Sequence, residues 1–315
     1  MIRTSTPQIE LRRLHRVFKD THAVNDVSFT VDAGEVFGYI GPNGAGKTTS
    51  MRILATLDEP TAGDAIVDGF SVVDDPDRVR RRLGFMPDYF GTYQNVSVYE
   101  YLDFFARAYG LRGRERSRAI HYVMDFTKLD TLARKPIDGL SKGMKQRLCL
   151  GRTMVHDPSV LVLDEPAAGL DPRARIELRE MIGRLADDGK AVLISSHILT
   201  ELAEICDRVA IIEQGRLLAV GSVEEISARS QERGLVRVRV LDDPARLAGW
   251  LALRDDVDNL HTEGGLVTFG HLGDRASEAA LLQAIVAAGF PVVEFGARHK
   301  SLEDVFLHVT EGRVQ

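Results

Sequence analysis

An α/β layered fold carrying a helical insert, followed by a smaller α+β domain, is what the sequence predicts, and three observations carry that prediction. From residue 8 to about 225, short β-branched runs alternate with helical stretches, the pattern of strands packed against helices. Two runs, Val160-Leu161-Val162-Leu163 and Ala191-Val192-Leu193-Ile194, are apolar throughout, as parallel strands buried on both faces require. Between about 97 and 157 strand signals vanish and helical periodicity takes over.

The elements follow in chain order. Val27 to Val31 alternates as a half-buried strand does, and Glu35 to Ile40 runs into a Gly-rich turn followed by a helix from Thr49 to Leu57. A helical insert occupies about 88–157. Ile211 to Arg216 reads as a strand ending at a turn. The stretch from Gly221 to Gly234 reads as helical and polar and fits a linker, so the chain divides into 1–230 and 231–315. Beyond it, Val236 to Leu241 sets apolar residues between Arg237 and Arg239, a strand with one buried face. A helix near Ala245–Leu253, strands near Val257–His261 and Leu266–Phe269, a helix over Ala276–Ala288 stopped by Gly289, a strand at Pro291–Phe295 and a last helix from Ser301 complete the domain. The order β-α-β-β-α-β suggests a ferredoxin-like layer.

Composition bounds the function. In 315 residues, 40 Lys+Arg stand against 46 Asp+Glu, a net charge of −6, which argues against nucleic acid as a partner. The basic runs at Arg78–Arg82 and Arg112–Arg118 read as solvated helix faces. No apolar run reaches the ~18 residues that a membrane span needs, and the first residues lack a signal-like apolar core. Two cysteines, Cys149 and Cys206, make no disulfide framework and suit a reducing compartment.

The chemistry concentrates in two segments. Gly41-Pro42-Asn43-Gly44-Ala45-Gly46-Lys47-Thr48, followed by Thr49, matches the P-loop pattern, with a strand before it and a helix after it. Its glycines turn backbone N–H groups inward around phosphate oxygens, and the helix N-terminus adds a favourable dipole. Lys47 is the candidate to bridge the β- and γ-phosphates of a nucleoside triphosphate, and Thr48 to ligate Mg²⁺. Asp164 closes the apolar strand ending Leu163-Asp164-Glu165-Pro166, where a carboxylate is costly without a cation, so Mg²⁺ is its natural partner. Glu165, one residue further, is the candidate base that polarises water for attack on the γ-phosphate.

Three further segments make the pattern specific. Leu140-Ser141-Lys142-Gly143-Met144-Lys145-Gln146-Arg147 resembles the signature motif of ABC ATPases, Gly169-Leu170-Asp171-Pro172 resembles their D-loop, and His197 in Ile194-Ser195-Ser196-His197 resembles their switch histidine. The resemblance spans residues 8 to about 225 in order and spacing. It implies an ATP-binding, ATP-hydrolysing subunit in which two copies sandwich two ATPs head to tail. Ser141 and Gly143 would then meet the γ-phosphate of the partner copy, Asp171 would link the two sites, and His197 would hold the γ-phosphate and attacking water. Ser141 also fits a helix N-cap, and Asp171 a turn residue before Pro172. Phe18 falls where the family stacks an aromatic on adenine, with Val24 as a second contact to the base; core packing explains Phe18 equally well.

Two departures from the family pattern stand out. The signature has Lys142 and Met144 where Gly and Gln are commonest. Gly84-Phe85-Met86-Pro87-Asp88 resembles the Q-loop segment but carries Asp88 where Gln is expected, and Gln94 is out of register. A carboxylate is a hard oxygen ligand, so Asp88 is a candidate Mg²⁺ ligand and metal-coupled sensor.

The resemblance also implies a separate multi-span membrane permease and a peripheral position on the cytoplasmic face of the membrane. Aromatic residues crowd residues 85–109 in a chain only 7% aromatic; Phe104 and Phe105 suit the core of the insert, whereas Tyr89, Phe90 and Tyr93 suit an exposed docking patch for that permease. The ending Ser301 to Leu307 resembles the tail of multidrug exporter ATPases of the daunorubicin-resistance kind. An ABC protein without a transport role, and a module that holds ATP without hydrolysing it, are the competing readings. The intact Glu165 and His197 argue against the second.

Overall fold

The computed structural model describes residues 6–89, 91, 95–197, 204–222, 225–226, 234–241, 243–271, 273 and 275–298. The chain forms two compact units that divide between Ser222 and Val223. The first unit begins with β1 (Ile9–Phe18), β2 (Thr21–Val31), β3 (Val36–Ile40), α1 (Lys47–Leu54), β4 (Ala62–Val67), β5 (Phe70–Ser71), α2 (Pro76–Arg82) and β6 (Leu83–Met86). The helical insert follows as α3 (Val98–Ala108), α4 (Gly113–Phe126) and α5 (Lys142–Met154). The unit ends with β7 (Val160–Leu163), α6 (Pro172–Asp187), β8 (Ala191–Ser196), β9 (Arg208–Glu213) and β10 (Arg216–Ser222).

A six-stranded sheet in the order β10-β9-β3-β8-β7-β6 is parallel from β9 to β6 and closes with antiparallel β10. Gln214 (φ 48°) and Gly215 (φ 77°) make the two-residue turn between β9 and β10, whose twist suits a hairpin. A second, antiparallel sheet runs β2-β1-β4-β5. One core joins both sheets to α1: Leu11, Val27 and Phe29 meet Phe37, Met51, Leu54, Val162 and Leu193. Phe29 stacks on Phe37 with centroids 4.9 Å apart. β7, apolar throughout, and β8, apolar up to Ile194 and ending in Ser195-Ser196, are buried along their whole length.

Helix α1 begins at Lys47 and stops at Leu54, earlier at both ends than the sequence suggests. Thr56 takes a left-handed φ of 57°, and the bonds Leu57 N–H to Arg52 C=O and Thr56 N–H to Ile53 C=O close the end without a glycine. In the insert, Ser97 and Glu100 form a reciprocal capping box on α3. Gly151 lets α5 approach α4, since a methyl there would stand 2.7 Å from Val123 Cγ1.

The second unit runs β11 (Gly234–Val240), α7 (Pro244–Leu251), β12 (Val257–Glu263), β13 (Leu266–His271), α8 (Arg275–Ala287) and β14 (Val292–Arg298). Its sheet is antiparallel in the order β12-β13-β11-β14. Val236, Val238 and Val240 face a core of Leu247, Leu251, Phe269 and Ile285, while Arg237 and Arg239 lie outside it. The expected helix from Ser301, and the aromatic residues Phe90 and Tyr93, lie outside the described residues.

Candidate functional site

The phosphate loop leaves the carboxyl end of β3, which lies inside the parallel sheet between β8 and β9. Ligands of open α/β sheets sit at such strand ends. Two of its glycines are fixed by geometry. A methyl on Gly46, at φ 103°, would fall 2.2 Å from the Ala23 carbonyl oxygen, and one on Gly41 would fall 2.3 Å from that of Ile212. Neither position tolerates a side chain, so the loop keeps an uncovered backbone. Asn43, Gly44 and Thr48 are exposed along it, Pro42 and Thr49 are half-buried, and Ala45 is buried.

Lys47 opens α1 and is buried, yet its ammonium keeps polar partners. Nζ donates to the carbonyls of Gly41 at 2.6 Å and Pro42 at 3.2 Å, and stands 3.7 Å from Glu165 Oε1. Burial pushes its pKa down, and the charges of Glu165 and Asp164 oppose that shift.

Asp164 and Glu165 follow β7, which is separated from β3 by β8. Asp164 is 1% exposed; its Oδ1 accepts from Ser195 Oγ at 2.6 Å. Glu165 has a left-handed φ of 48°, and its N–H donates to the same Ser195 Oγ at 2.9 Å. Its Oε2 meets His197 Nδ1 at 2.8 Å, whereas buried Oε1 has no hydrogen-bond partner, the Lys47 ammonium standing at ion-pair distance. Lys47, Asp164, Glu165 and His197, called from sequence separately, are thus brought together. Ser195 was not singled out, although a Ser-Ser pair ending an apolar strand was a signal.

A second group assembles where α5 meets α6. Ser141 caps α5, its Oγ accepting from Met144 N at 3.3 Å, and Asp171 caps α6, its Oδ1 accepting from Ala174 N at 2.9 Å. A methyl on Gly143 would stand 3.1 Å from Ala174 Cβ, so the two helix starts are in close contact. Buried Gln146, also passed over in the sequence, donates Nε2–H to the Pro166 carbonyl at 3.0 Å and so ties α5 to the residue after Glu165.

The remaining candidates lie apart from these contacts. Phe18 ends β1 half-exposed, with the Arg16 guanidinium 4.4 Å from its ring centroid. Val24 is wholly buried in the core, which leaves its side chain no surface for a base. Asp88 is exposed two residues beyond β6. Among the described residues no three His, Cys, Asp or Glu side chains cluster as a ready metal site. A cation held here would therefore share its ligands with phosphate oxygens, and the buried Asp164 and half-buried Glu165 carboxylates beside a bare glycine cradle fit a metal–nucleotide pair.

A glycine cradle, a buried lysine and a strand-end carboxylate pair define a nucleoside-triphosphate hydrolase of the P-loop class. The profile of the ABC transporter family matches residues 24–168. Nod factor export ATP-binding protein I of Burkholderia lata is 36% identical over 311 residues, covering 98% of each chain. The probable multidrug ABC transporter ATP-binding protein YbhF of Escherichia coli is 38% identical over 222 residues, which are 70% of this chain and 38% of that one. A solved ATP-binding subunit of an ABC transporter superposes with a TM-score of 0.65 at 31% identity, covering 72% of this chain and 94% of that one. The chain belongs to the ABC transporter ATP-binding proteins. It is an ATPase of that type, and the subunits of this family work with membrane permeases. No helix among the described residues is long and apolar enough to cross a membrane.

Proposed function

We propose that this chain is the ATP-hydrolysing subunit of an exporter, closing as a homodimer on two ATPs to drive a separate permease from the cytoplasmic face of the membrane. The observation that carries the reading is the convergence of Lys47 and His197 on Glu165, at 3.7 and 2.8 Å. Export is supported by the names of the full-length relatives. In this reading the backbone from Gly41 to Thr49 cradles the phosphates, and Lys47 exchanges its carbonyl partners for β- and γ-phosphate oxygens. Glu165 accepts the proton of the attacking water, and His197 orients that water and the γ-phosphate. Phe18 supports adenine. Ser141 and Gly143 close on the partner copy's γ-phosphate, and Asp171 joins the two sites.

Thr48 and Asp164 are the residues suited to hold Mg²⁺, with Asp88 as an additional oxygen ligand. Bound there, the ion neutralises charge on the β- and γ-phosphates. The second unit reads as a ferredoxin-like accessory domain, supported by its βαββαβ order and its strand order. Tyr89, 83% exposed, fits a permease-docking patch.

The test is Glu165→Gln with ATP, followed by size analysis and capture of a membrane partner. An ATP-stabilised dimer that retains a permease is expected. A monomer that binds ATP without partner or self-association overturns the dimer mechanism.

A further inference from the structure

We propose that Ser195 is a positioning residue of the hydrolytic centre, whose hydroxyl aims Asp164 and Glu165 together. The inference rests on the proposed role of Glu165. Ser195 lies in β8, wholly buried, directly after the apolar run Ala191 to Ile194. A hydroxyl in such a place is costly unless its hydrogen-bonding capacity is used. Here it is used twice, by the residues that matter: Oγ–H donates to Asp164 Oδ1 at 2.6 Å, and Oγ accepts from the Glu165 N–H at 2.9 Å. One hydroxyl, with one hydrogen to give, makes both bonds in a single orientation.

The register explains why this position has the reach. β8 lies beside β7 in parallel, with Leu163 opposite Ile194, so Asp164, the first residue past β7, comes beside Ser195, which is still within β8 and opposite Tyr39 of β3. His197 is two residues further along the same strand end. Ser195 therefore fixes the main chain of Glu165, while His197 meets its carboxylate at 2.8 Å.

Glu165 needs such a hold. A non-glycine residue at φ 48° sits in a sparsely populated region and persists there when its surroundings over-determine it. Ser195 holds the N–H on one side, and Gln146 holds the following Pro166 carbonyl at 3.0 Å on the other. Without the hydroxyl, the Glu165 N–H and Asp164 Oδ1 both lose this partner, and the backbone is free to rotate the carboxylate away from attacking water. A displacement of this kind lowers turnover while leaving the glycine cradle intact.

The experiment compares Ser195→Ala, Ser195→Thr and Ser195→Val, since Thr and Val have nearly the same shape and differ in the hydroxyl. Steady-state kcat and KM are measured beside the Kd of a fluorescent ATP analogue, with and without Mg²⁺. Ala and Val are expected to lower kcat about tenfold or more while KM and Kd stay within about twofold, and Thr to exceed Val by about tenfold. In a Glu165→Gln background, Ser195→Ala should lower residual turnover by clearly less than its effect of about tenfold in the parent, because one of the two groups it aims is gone. Unchanged kcat in Ala and Val, an equal fall in Thr and Val, or a loss of nucleotide affinity matching the loss of kcat overturns the proposal. Parental turnover in Glu165→Gln alone would instead overturn the role of Glu165 on which it rests.

Discussion

His197 Nδ1 and Glu165 Oε2 stand 2.8 Å apart, joining the ends of two adjacent parallel strands through side chains. An ionised carboxylate only accepts, so the hydrogen of this bond sits on the imidazole and the other ring nitrogen is left for a ligand. His197→Ala should therefore lower kcat about a hundredfold with nucleotide affinity held within a few-fold. Steady-state hydrolysis beside equilibrium nucleotide binding checks this, and a parallel loss of both would mean that His197 serves binding.

Lys47 should behave in the opposite way. Its ammonium is buried against Gly41 and Pro42 carbonyls and faces Glu165. Lys47→Ala removes the cation the cradle offers to phosphate, so nucleotide affinity should fall more than about tenfold, measured by titration with a fluorescent analogue.

Gln146→Leu should destabilise the fold by about 1–3 kcal/mol, because the Pro166 carbonyl loses a buried donor. The urea midpoint reports it. No change would mean that water replaces the amide at no cost.

Acid should weaken the first unit through His156. Its ring stacks on Tyr109 with centroids 3.6 Å apart, Nε2 meets the Leu83 carbonyl at 3.2 Å, and buried Nδ1 has no partner. Burial pushes its pKa from 6.5 down to about 4. Between those values the unfolded chain binds a proton that the folded chain refuses, so stability is present near neutral pH and is lost as pH falls from about 6.5 towards 4. The loss amounts to about 2–3 kcal/mol. His156→Gln should flatten this part of the pH profile of the urea midpoint; an unchanged slope between pH 7 and 5 would assign acid sensitivity elsewhere.

How far the sequence revealed this arrangement depends on how local each cause is. The buried strands β7 and β8 were readable because parallel strands need no polar face, and the bounds of β7 match the apolar run. The phosphate loop was readable because its glycines are demanded by backbone geometry at Gly41 and Gly46. The strand β1 was obscured: Arg12 and Arg13 interrupt its apolar residues, and pairing shifts between Leu11 and Leu14 break the two-residue alternation. The end of α1 was misplaced because Thr56 adopts a conformation usually left to glycine. Ser195 and Gln146 escaped notice since their meaning lies in partners 31 and 20 residues away, which only the folded sheet brings near.

The bond from Gln146 to Pro166 also has a mechanical meaning. Helix α5 begins just after Ser141 and the loop after β7 carries Glu165, the proposed base, so the amide works as a tie-rod between the insert and the peptide next to Glu165. A tilt of the insert would lengthen that bond or drag the loop with it. A membrane partner gripping only the insert would hold a throttle on hydrolysis without touching nucleotide.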